Sequence, residues 1–217
     1  MGPNGAGKTT LFNLVAGDVQ PSGGTIELMG RDVTQLPARV RPTLGLARSY
    51  QKTRLFSGLS VEENIFLAIV GRDGGRLRPF HRKSDRLVRE RARAAAERVL
   101  LGDKTDTFVR DLSHGEQRQL EIGMASAVEP RLMLLDEPAS GLSFGERDRL
   151  TELLLGLPDD VTLILIEHDM DVALTVARYV TMMHDGRKVV EGTPAEIRGN
   201  QMVHDIYLGN RFHEANE

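Results

Sequence analysis

The sequence predicts an α/β protein built around a mostly parallel sheet. Two apolar runs, at 132–135 and 161–166, have the length of strands. Continuous rather than alternating apolar residues are typical of parallel strands that are covered on both faces. Helical patterns separate the predicted strands along the chain, as expected for a parallel sheet. The 217 residues suffice for one such domain with a sizeable core.

The composition excludes several classes of protein. Hydrophobic residues make up 40% and charged residues 27%, which is ordinary for a globular domain. The net charge of -3 gives no support to nucleic-acid binding, so we expect no nucleic-acid partner. Because the chain has no cysteine, a disulfide scaffold and a thiolate metal site are both excluded. The longest apolar runs are far shorter than the roughly 20 residues of a membrane-spanning helix.

Local patterns predict the remaining elements. We expect helices over 8–16, 61–70, 83–101 and 113–128, and strands over 25–29, 44–50, 131–135 and 161–166. Gly17 ends the first helix, and residues 21–24 form a turn. In the third helix one apolar face is formed by Val88, Ala92, Ala95 and Val99. The segment 71–101 is the best candidate for a separate helical subdomain or insertion.

A phosphate-binding loop is predicted at the start of the chain. Residues 2–9 have the P-loop spacing, in which glycine, four residues and a second glycine precede lysine and a hydroxyl residue. Such a loop turns its backbone N–H groups toward phosphate oxygens, and the helix that follows adds its positive end. Lys8 is expected to neutralise the β- and γ-phosphates, and Thr9 to ligate Mg²⁺. The alternative is a flexible tail of small residues. The residues predicted to bind ATP here are Asn4, Gly5, Ala6, Gly7, Lys8, Thr9 and Thr10.

The element that normally precedes a P-loop is a strand. Met1 falls where the last apolar residue of that strand is expected. Either the chain is a fragment or its start is assigned too late. The family resemblance that the motifs below carry implies an in-frame extension of about 30 residues upstream, with an aromatic residue and an apolar strand leading into Gly2.

Two carboxylates follow the apolar run at 132–135. Asp136 is expected to hold Mg²⁺, directly or through water. Glu137 is placed to orient an attacking water or to take its proton. The alternative is that these residues only open a turn before Pro138.

The next predicted strand ends in Glu167 and His168. Since the carboxyl ends of parallel strands meet at one crevice, we expect His168 to lie near the carboxylate pair. Its predicted role is a hydrogen bond to the γ-phosphate or to the attacking water. The alternative is a structural histidine, since the chain has 6.

A second anion site is predicted at residues 112–117. Ser113 and Glu116 have the spacing of a capping box, which places a helix N-terminus here. A serine hydroxyl and the N–H of Gly115 at such a terminus can bind an anion. Because the chain already has one phosphate loop, a second anion site suggests that two chains share each nucleotide.

With these motifs the sequence resembles the ATP-binding cassette (ABC) family. The ordered motifs are the phosphate loop at 2–9, a glutamine loop at 49–51, the family motif at 112–117, the carboxylates at 136–137, a D-loop-like segment at 140–143 and the switch histidine His168. The resemblance implies a P-loop NTPase core of α/β fold with a helical subdomain. It further implies one ATPase domain over 1–217, with a RecA-like core at 1–50 and 129–217 and the helical subdomain at about 51–128.

The resemblance also implies roles in a dimer that closes head-to-tail over two ATP molecules. Gln51 would bind ATP and link Mg²⁺ to the helical subdomain, so that the metal set is Thr9, Gln51 and Asp136. The residues expected to contact the ATP held by the partner are Ser113, His114, Gly115 and Glu116.

Departures from the common pattern favour one branch of the family. His114 stands where many members have glycine, and Ser143 replaces the usual aspartate. These variations, together with residues 47–56, 61–64 and 206–209, resemble the branched-chain amino acid and urea uptake branch. Within that branch the long basic segment after Gly71 resembles the larger of the two ATPase subunits.

The basic stretch 72–93 carries nine lysines and arginines and is expected to be a solvated face. A contact with a permease or with anionic lipid is the alternative.

The resemblance implies an ATP hydrolase that drives import of a small polar solute, with ATP and Mg²⁺ as cofactors. The implied partners are a second ATPase subunit, two transmembrane permease subunits and, indirectly, a solute-binding protein. The implied location is peripheral, at the cytoplasmic face of the inner membrane. The alternatives are a soluble ABC-type ATPase that is not coupled to transport, and an inactive fragment.

Overall fold

The computed structural model describes residues 1–49, 55–72 and 82–206. Its helices are α1 Lys8–Ala16, α2 Val61–Arg72, α3 Arg82–Arg98, α4 His114–Ala127, α5 Phe144–Leu155, α6 Met170–Val176 and α7 Pro194–Arg198. Short 3-10 helices lie at Arg41–Leu44, Gly102–Lys104 and Val109–Asp111. The strands are β1 Glu27–Leu28, β2 Arg31–Asp32, β3 Leu46–Arg48, β4 Leu132–Asp136, β5 Thr162–Ile166, β6 Val180–His184 and β7 Arg187–Gly192.

A parallel sheet of order β3-β4-β5 forms the centre of the fold, as the apolar runs predicted. Leu46 pairs with Leu132 across the first ladder, and Leu132 pairs with Thr162 across the second. All five residues of β4 are buried, so this strand is covered on both faces. Two antiparallel hairpins, β1-β2 and β6-β7, complete the described strands.

The prediction that β5 is covered on both faces was wrong. Thr162 is exposed and 39% of Ile164 is exposed, whereas Ile166 at the end of the strand is buried. β5 is the last strand of its sheet within the described part of the chain. β4 is flanked by β3 and β5, whereas among the described residues β5 has a strand on one side only, so its outer edge and one of its faces are less buried.

The N-terminal residue pairs with β6. The amino group of Met1 donates to the carbonyl of Thr181 at 2.7 Å, and the N–H of Met183 donates to the carbonyl of Met1 at 2.8 Å. The N–H of Gly186, in the turn of the same hairpin, donates to the carbonyl of Ala6 at 3.1 Å. The loop between Met1 and α1 is thus held against the β6-β7 hairpin.

The helices α2, α3 and α4 pack on one another and on the central sheet. One apolar cluster runs from Val61 and Ile65 on α2 to Leu120 on α4 and Leu135 on β4. The predicted apolar face of α3 is confirmed for Ala92, Ala95 and Val99, which are at most 2% exposed, and Val88 packs against the same cluster.

The basic face of α3 is exposed where the structure describes it, and two of its arginines also pair with α2: the side chains of Arg89 and Arg93 are 48% and 61% exposed. Glu62 on α2 has 4% of its side chain exposed and forms ion pairs with Arg89 and Arg93. Although burial acts to raise the pKa of Glu62, the hydrogen bonds and charges of the two arginines hold the pKa below its usual 4.5. Two of the exposed basic residues thus also attach α3 to α2 through the buried carboxylate of Glu62.

Most other differences from the predicted elements are at their ends. α1 has its predicted bounds, with Gly17 in the left-handed conformation as its C-cap. The predicted strand at 25–29 is reduced to the two residues of β1, and the strand at 44–50 to the three of β3. The helices α5, α6 and α7 and the hairpin β6-β7 were not predicted. The helix predicted over 61–70 is longer in the structure, since Gly71 and Arg72 also belong to α2.

Candidate functional site

The loop at 2–9 leaves the N-terminus of α1 without a side-chain cap. Its N-cap residue is Gly7, which adopts the left-handed conformation at φ 89° and offers no side chain to the first-turn N–H groups. Thr9 and Thr10 in that first turn are exposed. Donors directed outward at the positive end of a helix are the elements of an anion site.

Glycine at position 2 is required by a close approach. A Cβ on Gly2 would lie 2.1 Å from the carbonyl oxygen of Met183 on β6, and the φ of Gly2 is 146°. The first glycine of the motif therefore lets the loop lie against the hairpin.

Lys8 is bound by its own loop. Its Nζ donates to the carbonyls of Gly2 at 2.6 Å and Pro3 at 2.8 Å, and 7% of the residue is exposed. Burial lowers the pKa of Lys8, and the nearby charges of Glu137 and Asp136 oppose that shift. The ammonium group and the two carboxylates thus act on one another electrostatically.

Asp136 is the buried member of the carboxylate pair. It ends β4, with 2% of the residue exposed. Burial and then the neighbouring charge of Glu137 raise its pKa, while Arg48, Lys8 and Arg118 act in the opposite direction. A buried carboxylate in this position favours a bound cation, because a cation would offset the cost of burying the charge.

Glu137 turns away from the strand that precedes it. Its φ of 49° is left-handed, a conformation that is uncommon for a residue other than glycine. The N–H of Glu137 donates to the carbonyl of Ile166 at 2.9 Å, and its carbonyl accepts from Arg118 of α4 at 3.4 Å. Residues with a strained backbone conformation of this kind occur more often at functional sites than elsewhere.

His168 lies beside Glu137, as the sequence predicted. The Nδ1 atom of His168 is 3.9 Å from an Oε atom of Glu137 and 3.9 Å from one of Glu167. Its side chain is 55% exposed, so the imidazole lies at the mouth of the crevice rather than in the core. An exposed imidazole next to a candidate general base can bind a group that enters from solvent.

The motif at 113–116 forms the predicted capping box. Ser113 Oγ accepts from the N–H of Glu116 at 3.2 Å, and the Glu116 carboxylate accepts from the N–H of Ser113 at 2.9 Å. The hydrogen bond from Lys104 lowers the pKa of Glu116. Ser113 and His114 are exposed, whereas Gly115 is buried.

Gly115 faces the start of α5. A Cβ at this position would lie 2.4 Å from Oε1 of Glu146, which caps α5 through Ser143. His114 lies against Gly141 of the segment at 140–143. The motif therefore packs on the D-loop-like segment of its own chain.

The described structure unites part of the predicted site. Asp136, Glu137 and His168 lie at the carboxyl ends of β4 and β5; the charges of the two carboxylates act on Lys8, and His168 Nδ1 is 3.9 Å from Glu137. The motif at 113–116 lies on the neighbouring side of the 140–143 segment. Gln51 lies outside the described residues. Among the described residues, no group of three histidine, cysteine, aspartate or glutamate side chains could hold a metal ion.

Sequence reasoning missed two residues that hold this crevice. Glu167 is fully buried, and its carboxylate accepts from the N–H groups of Ala139, His168 and Asp169. Arg118 is 6% exposed and contacts both Glu121 and the carbonyl of Glu137. For Glu167 the signal was a charged residue at the end of an apolar strand; for Arg118 no sequence signal distinguished it from other helical arginines.

The comparison with known proteins decides between classes of P-loop protein. A family model described as ABC transporter matches residues 1–140. The chain belongs to the ABC transporter family. The predicted family, the fold class and the ATP-hydrolase activity are confirmed.

Relatives support the family over nearly the whole of this chain. The branched-chain amino acid transport ATP-binding protein BraF of Pseudomonas aeruginosa is 37% identical over 96% of this chain and 85% of its own length. The lipopolysaccharide export ATP-binding protein LptB of Acidithiobacillus ferridurans is 35% identical over 98% of this chain and 85% of its own. Among solved structures, the ATP-binding cassette MJ1267 in its ADP conformation is 25% identical, with a TM-score of 0.83 over 96% of this chain and 86% of that one.

No helix in the part of the chain that the structure describes is long and apolar enough to cross a membrane.

Proposed function

We propose that this ABC ATPase drives the import of branched-chain amino acids or of a related small polar solute such as urea. The observation that carries the catalytic part is the convergence of Lys8, Asp136, Glu137 and His168 at the carboxyl ends of two parallel strands. The similarity to BraF supports the solute class.

ATP would bind at the loop 2–9. The first-turn N–H groups of α1 and the Nζ of Lys8 would contact its phosphates. Since Nζ is bonded to the carbonyls of Gly2 and Pro3, nucleotide binding requires Lys8 to exchange these acceptors for phosphate oxygens.

Mg²⁺ fits the oxygen ligands of this crevice. The buried carboxylate of Asp136, the hydroxyl of Thr9 and the amide of Gln51 would hold the ion together with phosphate oxygens. A site that relies on one carboxylate, with the substrate supplying other ligands, is usual for Mg²⁺. When bound, the ion would offset charge on the transferred phosphoryl group.

Glu137 would accept a proton from the attacking water. Its left-handed backbone takes the side chain off the end of β4, and 20% of that side chain is exposed. His168 would contact the γ-phosphate or the same water.

The motif at 113–116 would act on the ATP bound by a second subunit. Ser113 and His114 are exposed and would lie on the surface that such a subunit covers. Gly115, which is buried, and the partly buried Glu116 lie in the same helix turn and would contribute from there. The remaining partners in this proposal are two permease subunits and, indirectly, a solute-binding protein. The chain would lie at the cytoplasmic face of the inner membrane, as a core at 1–50 and 129–217 with a helical subdomain at about 51–128.

Two variants test the catalytic assignment. Lys8→Ala is expected to abolish the rise in melting temperature that Mg-ATP produces, because it removes the phosphate-binding cation. Glu137→Gln is expected to keep that rise and to slow single-turnover hydrolysis by about 100-fold or more. Glu152→Gln, an exposed glutamate on α5, is the matched control and should hydrolyse ATP at the wild-type rate.

The results separate the alternatives. Hydrolysis by Glu137→Gln at the wild-type rate would refute the role of Glu137. No stabilisation of the wild-type chain by Mg-ATP would favour an inactive fragment. The similarity to LptB makes export a second candidate for the transport direction. Import would be favoured if a solute-loaded binding protein stimulates the ATPase activity in vesicles that contain the permeases.

A further inference from the structure

Glu167 is a buried carboxylate to which the proposed function assigns no role. It follows the last residue of β5, and the whole residue has 0% exposure. Oε1 accepts from the N–H of Ala139 at 2.8 Å, while Oε2 accepts from His168 at 3.0 Å and from Asp169 at 3.2 Å. Ala139 and Glu167 are 28 residues apart in the sequence. The carboxylate of Glu167 therefore binds backbone N–H groups from two different loops.

These two loops carry the proposed catalytic side chains. Ala139 is two residues beyond Glu137, and Pro138 between them restricts the backbone. The N–H of Glu137 is bound by the carbonyl of Ile166 at 2.9 Å, so the loop is attached to β5 at both ends of this short segment. On the other side, Glu167 binds the backbone N–H of His168 itself.

Only a carboxylate satisfies all three donors. Two oxygen atoms accept three backbone N–H groups, and a negative charge strengthens each of these hydrogen bonds. The donors also offset the cost of burying that charge. A glutamine of the same shape would direct an NH₂ group at one of the N–H groups, so at least one contact would be lost.

We propose that Glu167 is a positioning residue for hydrolysis, which fixes the distance between Glu137 and His168. It touches neither substrate nor reacting atoms; it acts through the backbone of the two loops. This role rests on the proposed function of Glu137 and His168. This role explains how Glu137 is kept in a left-handed conformation at the end of β4. The segment is attached to β5 through the N–H of Glu137 and to Glu167 through the N–H of Ala139, and loss of the second hydrogen bond would leave only the first.

The test separates binding from chemistry. In Glu167→Gln the rise in melting temperature with Mg-ATP and the KM should stay within about twofold of wild type, because the loop 2–9 is not bound by Glu167. The kcat should fall about 10- to 100-fold, since a small misplacement of catalytic groups has an effect of that size. Glu191→Gln, an exposed strand glutamate, is the matched control and should leave all three quantities unchanged.

Amide hydrogen exchange supplies a readout that does not depend on activity. In wild type the amides of Ala139, His168 and Asp169 should be protected, and in Glu167→Gln at least one should exchange about 10-fold faster or more. If Glu167→Gln does not fold, the wild-type exchange rates still test the contacts, and unprotected amides at Ala139 and Asp169 would overturn the proposal.

Two further results would also overturn it. The first is an unchanged kcat in folded Glu167→Gln. The second is a parallel loss of melting temperature, nucleotide stabilisation and kcat, which a purely structural residue would give. Failure of the proposed function is distinguishable, because it appears as wild-type hydrolysis by Glu137→Gln, whatever Glu167→Gln does.

Discussion

Arg41 provides the sharpest test of how the fold holds the helix α1. Its side chain has 0% exposure, and its guanidinium group donates to backbone carbonyls at the end of α1 and in the segment that follows β2. Burial lowers the pKa of Arg41, and the charge of Asp18 opposes this shift. The substitution considered is Arg41→Leu, which keeps an apolar side chain but removes every donor.

The expected loss follows from the carbonyls that would be left without a donor. The carbonyl of Leu14 also accepts from Gly17, and that of Val33 also accepts from Leu36. The carbonyls of Val15 and Leu36 accept from Arg41 at 2.5 Å and 3.3 Å, and among the described residues no other donor to them is found. Both contacts are partly buried. A carbonyl left without a partner costs about 1–3 kcal/mol, so two give a loss of about 4 kcal/mol, the middle of the summed range.

Urea unfolding measures this loss directly. For Arg41→Leu we expect a lower midpoint with an unchanged slope, equivalent to about 4 kcal/mol of unfolding free energy. Arg41→Lys keeps a cation with fewer directed donors and should lose roughly half as much. Arg39→Leu changes an exposed arginine nearby and should stay within about 0.5 kcal/mol of wild type. A loss below about 1 kcal/mol for Arg41→Leu would refute the reasoning.

Two further predictions concern charged side chains. Because burial and Glu137 raise the pKa of Asp136, the ionised carboxylate destabilises the folded state. Asp136→Asn should therefore raise the melting temperature of the nucleotide-free protein at neutral pH, and this gain should disappear when the pH falls below 3.8. The same substitution should abolish stabilisation by Mg²⁺. A melting temperature that does not rise would contradict this. Glu62→Gln should lower the unfolding free energy by about 1–2 kcal/mol at pH 7, since Arg89 and Arg93 are partly exposed. The pKa of Glu62 is lowered by these arginines, so the difference from wild type should narrow as the pH falls below 4.5; a difference that is independent of pH would show that the charge of Glu62 is not responsible.

The sequence alone predicted the features that depend on local order. The spacing of the loop at 2–9, the capping box at Ser113 and the buried strand before Asp136 each require particular residue types at fixed separations, and each has the predicted form. The bounds of α1 were predictable because Gly17 ends the helix with a left-handed C-cap. The family followed from the order of such motifs.

Contacts between distant segments were decided by the tertiary structure. The three N–H groups around Glu167 come from two loops, and the acceptors of Arg41 come from a helix and a loop, so no local spacing records either arrangement. Burial of β5 also depended on its neighbours, which is why the apolar run at 161–166 predicted a strand but not its exposed face. The residues proposed to carry the chemistry could be chosen from the sequence, because chemistry constrains side-chain identity. The residues that hold them in place were identified only from the folded chain, because a backbone N–H or carbonyl can be bound by a side chain from any part of the sequence.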